Sequence, residues 1–381
     1  MRAFWYIIGA LCVPQLVSAQ EVASETRAVV AGPQVEIGGF VRARYGSIFQ
    51  NEDGPDFVGQ NDGFMVENAR LVADIRQGIM RAFISIDGAI DRRAAANTAE
   101  GQVDVGLRDA WVGYETARGF GLMVGQFKPA YDAEELQSTA DMLFIDRAVE
   151  SRGVRGVEGF NIDGLSLTRQ VGVQSYGQYP IGAEWRVAYA LSVTNGSNAN
   201  RPQNDNDSLA YVGRLSIHQG EYLTLGGGAY MNRLTTGVAP DLLAEDQVGW
   251  VVDLHYRRPM GGFTVLLSGQ FMETSTEAVD VPNEPKLTAR GYHGAAGFEL
   301  PMGLAAAYRY AFMDPTADFE AEDPAAQAVL DIDAVTLHTL SLGYQFKSFP
   351  VKAQANYTFA AEQSGREVDN DRLDLLVQAM F

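Results

Sequence analysis

The sequence predicts an all-β chain, a 16-stranded antiparallel transmembrane β-barrel with an inward-folded constriction loop. Three observations carry that expectation. Segments of roughly 10–13 residues, close to the length a tilted strand needs to cross a bilayer, alternate apolar and polar side chains along most of the chain. Their connections alternate between long polar stretches and tight turns. One connection, 129–164, is far longer and more organised than a turn requires, and such inserts are commonly functional.

Composition bounds what this chain can be. It has 381 residues, 46% of them apolar, and a formal charge of −19. That charge argues against a nucleic-acid partner, because phosphate backbones demand a basic face. Residues 1–19 read as an export signal, with Arg2 as the positive start, Ala3 to Val13 as the apolar stretch and Val17-Ser18-Ala19 as the cleavage site. Cleavage before Gln20 takes Arg2 away and moves the net charge from −19 to −20. The single cysteine, Cys12, leaves with it, and Leu11 in front of it argues against lipid anchoring. No disulfide or thiol chemistry is then expected of the exported chain. Beyond the signal no window of 18 apolar residues occurs, which excludes membrane-spanning helices and leaves a periplasmic domain or a barrel.

Residues 20–33 form a short polar leader, and 34–381 are expected to form the barrel. In the first strand Val35, Ile37, Gly39, Val41, Ala43 and Tyr45 share one face, and Glu36, Gly38, Phe40, Arg42 and Arg44 the other. Lipid selects apolar side chains outside, and a wet lumen selects polar ones inside. Further strands are expected at 64–76, 79–90, 103–115, 119–128, 165–176, 184–195, 208–218 and 221–232, then at 247–258, 262–274, 290–300, 303–313, 334–346, 350–360 and 371–381. The long connections are 50–63, 91–102, 129–164, 196–207, 233–246, 275–289, 314–333 and 361–370, and the turns between them are short. An even-stranded barrel sorts its connections in this way, with short turns on the periplasmic rim and long loops outside. The last strand alternates Leu373, Leu375, Val377 and Ala379 to a terminal Phe381, which resembles the recognition signal of outer-membrane barrel assembly. Tyr45, Tyr114, Tyr256, Phe312, Tyr344, Phe346 and Phe359, near strand ends, suit interfacial girdles.

The run LRDAWVGYE at 107–115, followed by GLMVGQFKPAYDAEELQSTADMLFIDRA at 121–148, resembles the hallmark of the phosphate-selective porin O and P family. Supporting stretches are FMVENARLVADIRQG at 64–78, WRVAYALSVTNG at 185–196 and VKAQANYTF at 351–359. One departure is Pro129 directly after Lys128, where the family more often places the proline one residue later. The resemblance implies a 16-stranded outer-membrane porin, usually a homotrimer among outer-membrane lipids. It passes small hydrophilic solutes by diffusion, with a preference for anions such as phosphate in the members that name the family.

Alternation places Arg42, Arg44, Arg70, Arg76, Arg81 and Arg108 inward on the first four strands, as one basic wall, with Lys128 where the chain enters the loop. Guanidinium groups are always charged and match phosphate oxygens as a fork, so such a wall can confer anion preference. Glu36, Asp74, Asp87 and Asp104 share those faces and can instead neutralise the arginines, giving a charge-laced wall that stiffens the barrel. The two readings stand level. The strand at 103–115 is ambiguous, since Leu107 and Trp111 facing lipid would carry Asp109 with them, and either a bulge or the opposite register would avoid that.

The loop brings Asp132, Glu134, Glu135, Asp141, Asp146 and Glu150 against Arg147, Arg152 and Arg155. Acids pointing into the pore would favour cations, and acids bound to wall arginines would leave the balance open. Leu136, Met142, Leu143 and Phe144 are expected to pin the loop to the wall. The stretch Asp314–Asp333 holds seven carboxylates and no Lys or Arg, and Asn204 to Asp207 reads NDND, but neither has the glycine and spacing of a calcium loop. His218, His255, His293 and His338 sit on separate strands without a hydrolase or metal motif, so no metal, cofactor or enzymatic activity is expected. A passive porin leads, ahead of a general or cation-preferring porin, a non-conducting surface barrel with an adhesin or surface-layer role, and a barrel hydrolase.

Overall fold

The computed structural model describes residues 32–49, 63–91, 103–116, 119–154, 162–197, 204, 206–238, 241–279, 286–318, 334–362 and 370–381. The expected export signal, the leader up to residue 31, Arg155 and the stretch 319–333 of the acidic loop lie outside the described residues.

Sixteen strands close into one antiparallel barrel. They are β1 Gln34–Phe49, β2 Gly63–Gln77, β3 Met80–Asp91, β4 Val103–Glu115, β5 Gly121–Phe127, β6 Gln170–Ile181, β7 Trp185–Thr194 and β8 Ala210–Gln219. The second half comprises β9 Leu223–Val238, β10 Asp241–Met260, β11 Phe263–Ala278, β12 Leu287–Glu299, β13 Leu304–Asp314, β14 Val335–Gln345, β15 Val351–Glu362 and β16 Asp371–Met380. Each strand pairs with its sequence neighbour, and β16 returns to β1 from Phe40↔Met380 to Phe49↔Asp371. Closure removes the sheet edges, so backbone polar groups of the strands find partners without water.

Alternation decides which face each side chain takes. On β1, Ile37 is 71% exposed on the outside, whereas Arg42 on the inside is 1% exposed. The outer face carries aromatic pairs near the rims, including Tyr45 with Phe64, Tyr344 with Phe346 and Tyr357 with Phe359. Tight turns on one rim use glycine where φ is positive, as at Gly78 (60°) and Gly261 (67°).

Two bulges enrich the inner face. Between Arg42 and Ala43 the β1–β2 register slips past Glu67, so Glu67 and Asn68 both reach inner-face partners. Between Ser85 and Ile86 the β3–β4 register slips past Arg108. This bulge settles the ambiguous fourth strand: Leu107 stays outside, while Asp109 bonds the inner-face Ser85 and Trp111 is buried against Phe83.

Two expected boundaries are corrected. The sixth strand runs Gln170–Ile181 rather than 165–176, because Tyr179–Ile181 pairs with Trp185–Val187 while Leu165 and Leu167 join an apolar cluster inside the barrel. The expected long connection 233–246 is mostly strand, with β9 and β10 paired out to Val238↔Asp241 and clasped by Arg233–Asp246 at 2.6 Å.

The seam between β1 and β16 continues past the last strand residue, with Gly39 N donating to Phe381 O at 3.0 Å and Phe381 N to Gly39 O at 3.1 Å. A Cβ on Gly39 would lie 2.2 Å from the Arg70 carbonyl and 2.8 Å from the Phe381 ring. Gly39→Val is therefore expected to strain this seam by on the order of 1–3 kcal/mol. A lowered temperature for the loss of heat-modifiable mobility in electrophoresis checks it.

Candidate functional site

Between Phe127 and Gln170 the chain leaves the barrel wall, and its described residues lie against inward-facing side chains. Its turns are short and locally capped. Asp132 caps α1 (Ala133–Leu136) by accepting from Glu135 N at 2.7 Å, Ser138 caps a 3-10 turn over Thr139–Asp141, and α2 spans Val149–Arg152. Gly153–Val154 pairs with Ile162–Asp163 in a two-residue ladder. Tyr131, Ala148, Val149, Val154, Leu165 and Leu167 pack with Val212, Val251, Met272, Met313, Val335 and Leu337 of the wall. Gly228 permits one close approach, since a Cβ there would stand 2.5 Å from the Tyr131 carbonyl.

Because this segment is irregular, its carbonyls need donors that no strand ladder provides. The wall supplies them. Arg42 donates to Ile145 O (2.9 Å), Arg214 to Tyr131 O (2.7 Å), and Arg309 to the carbonyls of Asp146 (3.1 Å) and Arg147 (3.2 Å). Ser341 reaches Leu143 O (2.6 Å), Lys352 and Gln354 reach Met142 O, and Gln378 reaches Ala140 O (3.1 Å). Of the expected apolar pins, Met142 and Phe144 are buried, with Arg309 stacked 4.4 Å from the Phe144 ring. Leu143 is half-buried, and Leu136 lines open space instead.

The predicted basic residues all face the interior, each beside an acceptor. Arg44 contacts Glu67 (3.1 Å), Asp146 (3.0 Å) and Asp374 (2.8 Å), and Arg372 contacts the same two aspartates at 2.9 and 2.7 Å. Arg70 binds Asp87 at 2.9 Å, and Arg108 stands 3.8 Å from the same carboxylate. Arg76 and Arg81 share Asp74 at 2.9 and 2.8 Å. Lys128 and Arg147 hold Glu135 at 2.6 and 2.8 Å, Glu134 takes Arg309 at 3.3 Å, and Arg152 donates to the carbonyls of Arg147 and Gly153. Among the described acids of the segment, Asp141 and Asp163 are exposed.

These contacts tune the loop carboxylates. Burial would raise Glu135, but the charges of Arg147 and Lys128 outweigh it and hold the group at about 2. Burial, reinforced by the charge of Glu135, pushes Asp132 up to about 6. Burial opposes ionisation of Glu134 as well, yet His293 and Arg309 pull it below the ordinary range.

Beside the segment lies a cavity of about 350 Å³. Ala130, Ala133, Leu136 and Gln137 of the segment face it, and Arg81, Glu115, Arg214, His218 and His255 line its wall. Arg186, opposite His218 in the β7–β8 register, has no ion-pair partner among the described residues, and its Nε is buried without an acceptor. Arg186, Arg214, Arg309 and Arg372 escaped the sequence reading, although alternation carries their signal: outward Leu373 and Leu375 already send Arg372 and Asp374 inward. A different omission is the grouping of Glu134, Glu150 and His293, whose ligand atoms lie within 4.8 Å of one another. No local motif announces it, because Glu150 and His293 are separated by 143 positions.

Two outcomes follow. Glu135, near 4.3 in an unfolded chain and about 2 here, binds fewer protons folded than unfolded. Its contribution is present above the unfolded value and is lost as pH falls through about 2. Pepsin cleavage within 128–154 is expected to accelerate as pH drops from about 4 toward 2, less steeply in Glu135→Gln. Asp146→Ala, which removes a carboxylate shared by two buried arginines, is expected to cost on the order of 3 kcal/mol in denaturant unfolding of the barrel.

Comparison with known proteins adds the lineage. The outer membrane channel DcaP of Acinetobacter baumannii superposes with a TM-score of 0.58 at 15% identity, covering 94% of this chain and 100% of its own. Salmonella typhi OmpF, in complex with daunomycin, gives 0.59 at 12% identity over 91% and 97% of the two chains. Vibrio cholerae OmpT in its trimer form gives 0.55 at 12% identity over 92% and 100%. No curated protein sequence matches the chain. The family model described as phosphate-selective porin O and P matches residues 41–246. Spanning more than half of this outer-membrane barrel, with its 16 strands, that match shows that the chain belongs to the phosphate-selective porin O and P family.

Proposed function

We propose that this barrel passes small hydrophilic solutes by diffusion, with the inner segment as its constriction and a preference for anions, phosphate among them. The observation that carries the anion preference is the lining of the cavity beside the segment. Arg81 and Arg214, each also paired with a wall aspartate, face it against a single lining carboxylate, Glu115. Arg186 adds a cation without a counter-ion nearby among the described residues. The family description supports the same sign of charge. Arg42, Arg44, Arg70, Arg76, Arg108 and Lys128 then act chiefly as the foundation of the constriction, because the segment and neighbouring carboxylates engage them. A homotrimer is proposed by analogy with the trimeric OmpT form, which shares the fold.

A general or cation-preferring pore is the second reading, favoured by the extent of ion pairing along the wall, which leaves little net field. Reversal potentials of the folded chain in a planar bilayer under a potassium chloride gradient separate the two. Chloride permeability above potassium is expected, falling about threefold in Arg186→Gln, as one charge about 7 Å from the ion is worth roughly 0.6 kcal/mol in water. Potassium preference would reject the anion reading, and folded chain without conductance steps would reject the pore in favour of a surface barrel.

A further inference from the structure

We propose that Glu134, Glu150 and His293 form a binding site for a divalent first-row transition metal ion, with Zn2+ as the probe, that fastens the inner segment to β12. The three come from α1, α2 and β12, all are buried, and their ligand atoms lie within 4.8 Å of one another. Glu150 Oε1 stands 2.5 Å from His293 Nδ1. The Glu150 side chain is 0% exposed, and its Oε2 has no hydrogen-bond partner. A fully buried carboxylate oxygen without a donor is costly, and a cation between these three groups would satisfy it.

The surroundings are shaped for a ligand set. Gly291, two residues before His293, leaves the gap into which Glu150 fits, since a Cβ there would stand 2.2 Å from the Glu150 Cβ. Ala148 N donates to both Glu134 oxygens at 3.0 and 3.1 Å and orients that carboxylate. Gln270 lies directly across from His293 in the β11–β12 register. Its Nε2 donates to Ser151 Oγ at 2.9 Å, and its Oε1 is buried without a partner, a neutral oxygen beside the same group. Arg309 is the competing cation, 3.3 Å from Glu134. Its bonds to the carbonyls of Asp146 and Arg147 keep it in place when Glu134 turns a lone pair toward an ion.

One imidazole with two carboxylates is a zinc-type donor set, whereas calcium and magnesium take oxygen ligands. The site is closed by protein, so the ion's role is to staple.

The test uses the full chain folded in detergent, stripped with EDTA, incubated with Zn2+ and gel-filtered before metal analysis. About one retained ion per chain is expected, together with a raised melting temperature. Glu150→Gln and His293→Gln are expected to lose the retained ion, and Gln270→Ala to bind on the order of tenfold more weakly. His218→Gln, at an inner-face histidine outside the group, is expected to keep it. Folding of each variant is checked by heat-modifiable mobility. X-ray absorption of the zinc-loaded wild type needs no variant, and is expected to show nitrogen and oxygen neighbours at about 2.0–2.2 Å with imidazole scattering. The proposal is overturned if the folded wild type retains no Zn2+, which would leave Glu150 and His293 as a hydrogen-bonded pair only. It is equally overturned if the absorption lacks imidazole, or if folded Glu150→Gln and His293→Gln keep the ion. None of these readouts depends on conductance, so a failed staple and a failed pore are told apart.

Discussion

An irregular chain inside a β-barrel carries carbonyl groups that no strand ladder can satisfy, and this molecule is arranged around meeting that need. Seven inner-face side chains, Arg42, Arg214, Arg309, Ser341, Lys352, Gln354 and Gln378, donate to carbonyls between Tyr131 and Arg147. Buried donors and acceptors left unmatched would each forfeit about 1–3 kcal/mol, so neither the wall nor the segment is stable in this form without the other. The apolar cluster around Tyr131, Val149 and Leu165 adds non-directional attraction, and the hydrogen bonds fix which residue meets which strand.

The same logic explains the charges. A guanidinium held away from water needs carboxylates around it, and Arg44 and Arg372 obtain them from their own strands and from Asp146 of the segment. An arginine on the inner face is therefore not automatically an arginine in the path of a solute. Arg42 donates both to Asn68 and to the Ile145 carbonyl, beneath the segment, whereas Arg81 and Arg214 border open space.

Much of the architecture was legible because lipid and water impose a period of two. All 16 strands follow from alternation and turn spacing, and β1 and β16 show their faces residue by residue. Alternation fails where another environment satisfies it. Leu165 and Leu167 fall within the expected strand 165–176, yet a second apolar interior, made by the segment and the wall, takes them up. It fails again at Arg108, where one extra residue reverses the parity of everything after it, Trp111 included. Contacts between the segment and the far wall, such as Glu134 with Arg309 across 175 positions, depend on closure of the whole barrel and leave no trace in local spacing.

The segment takes its carbonyl donors mainly from β13 to β16 and β1, while the open cavity borders β3 to β10. The cavity thus lies to one side of the barrel interior, and the cylinder has a side that supports the segment and a side that stays open. Substitutions that line the open side, at positions such as Ala188 or Thr224, leave untouched the hydrogen bonds by which the opposite side holds the segment.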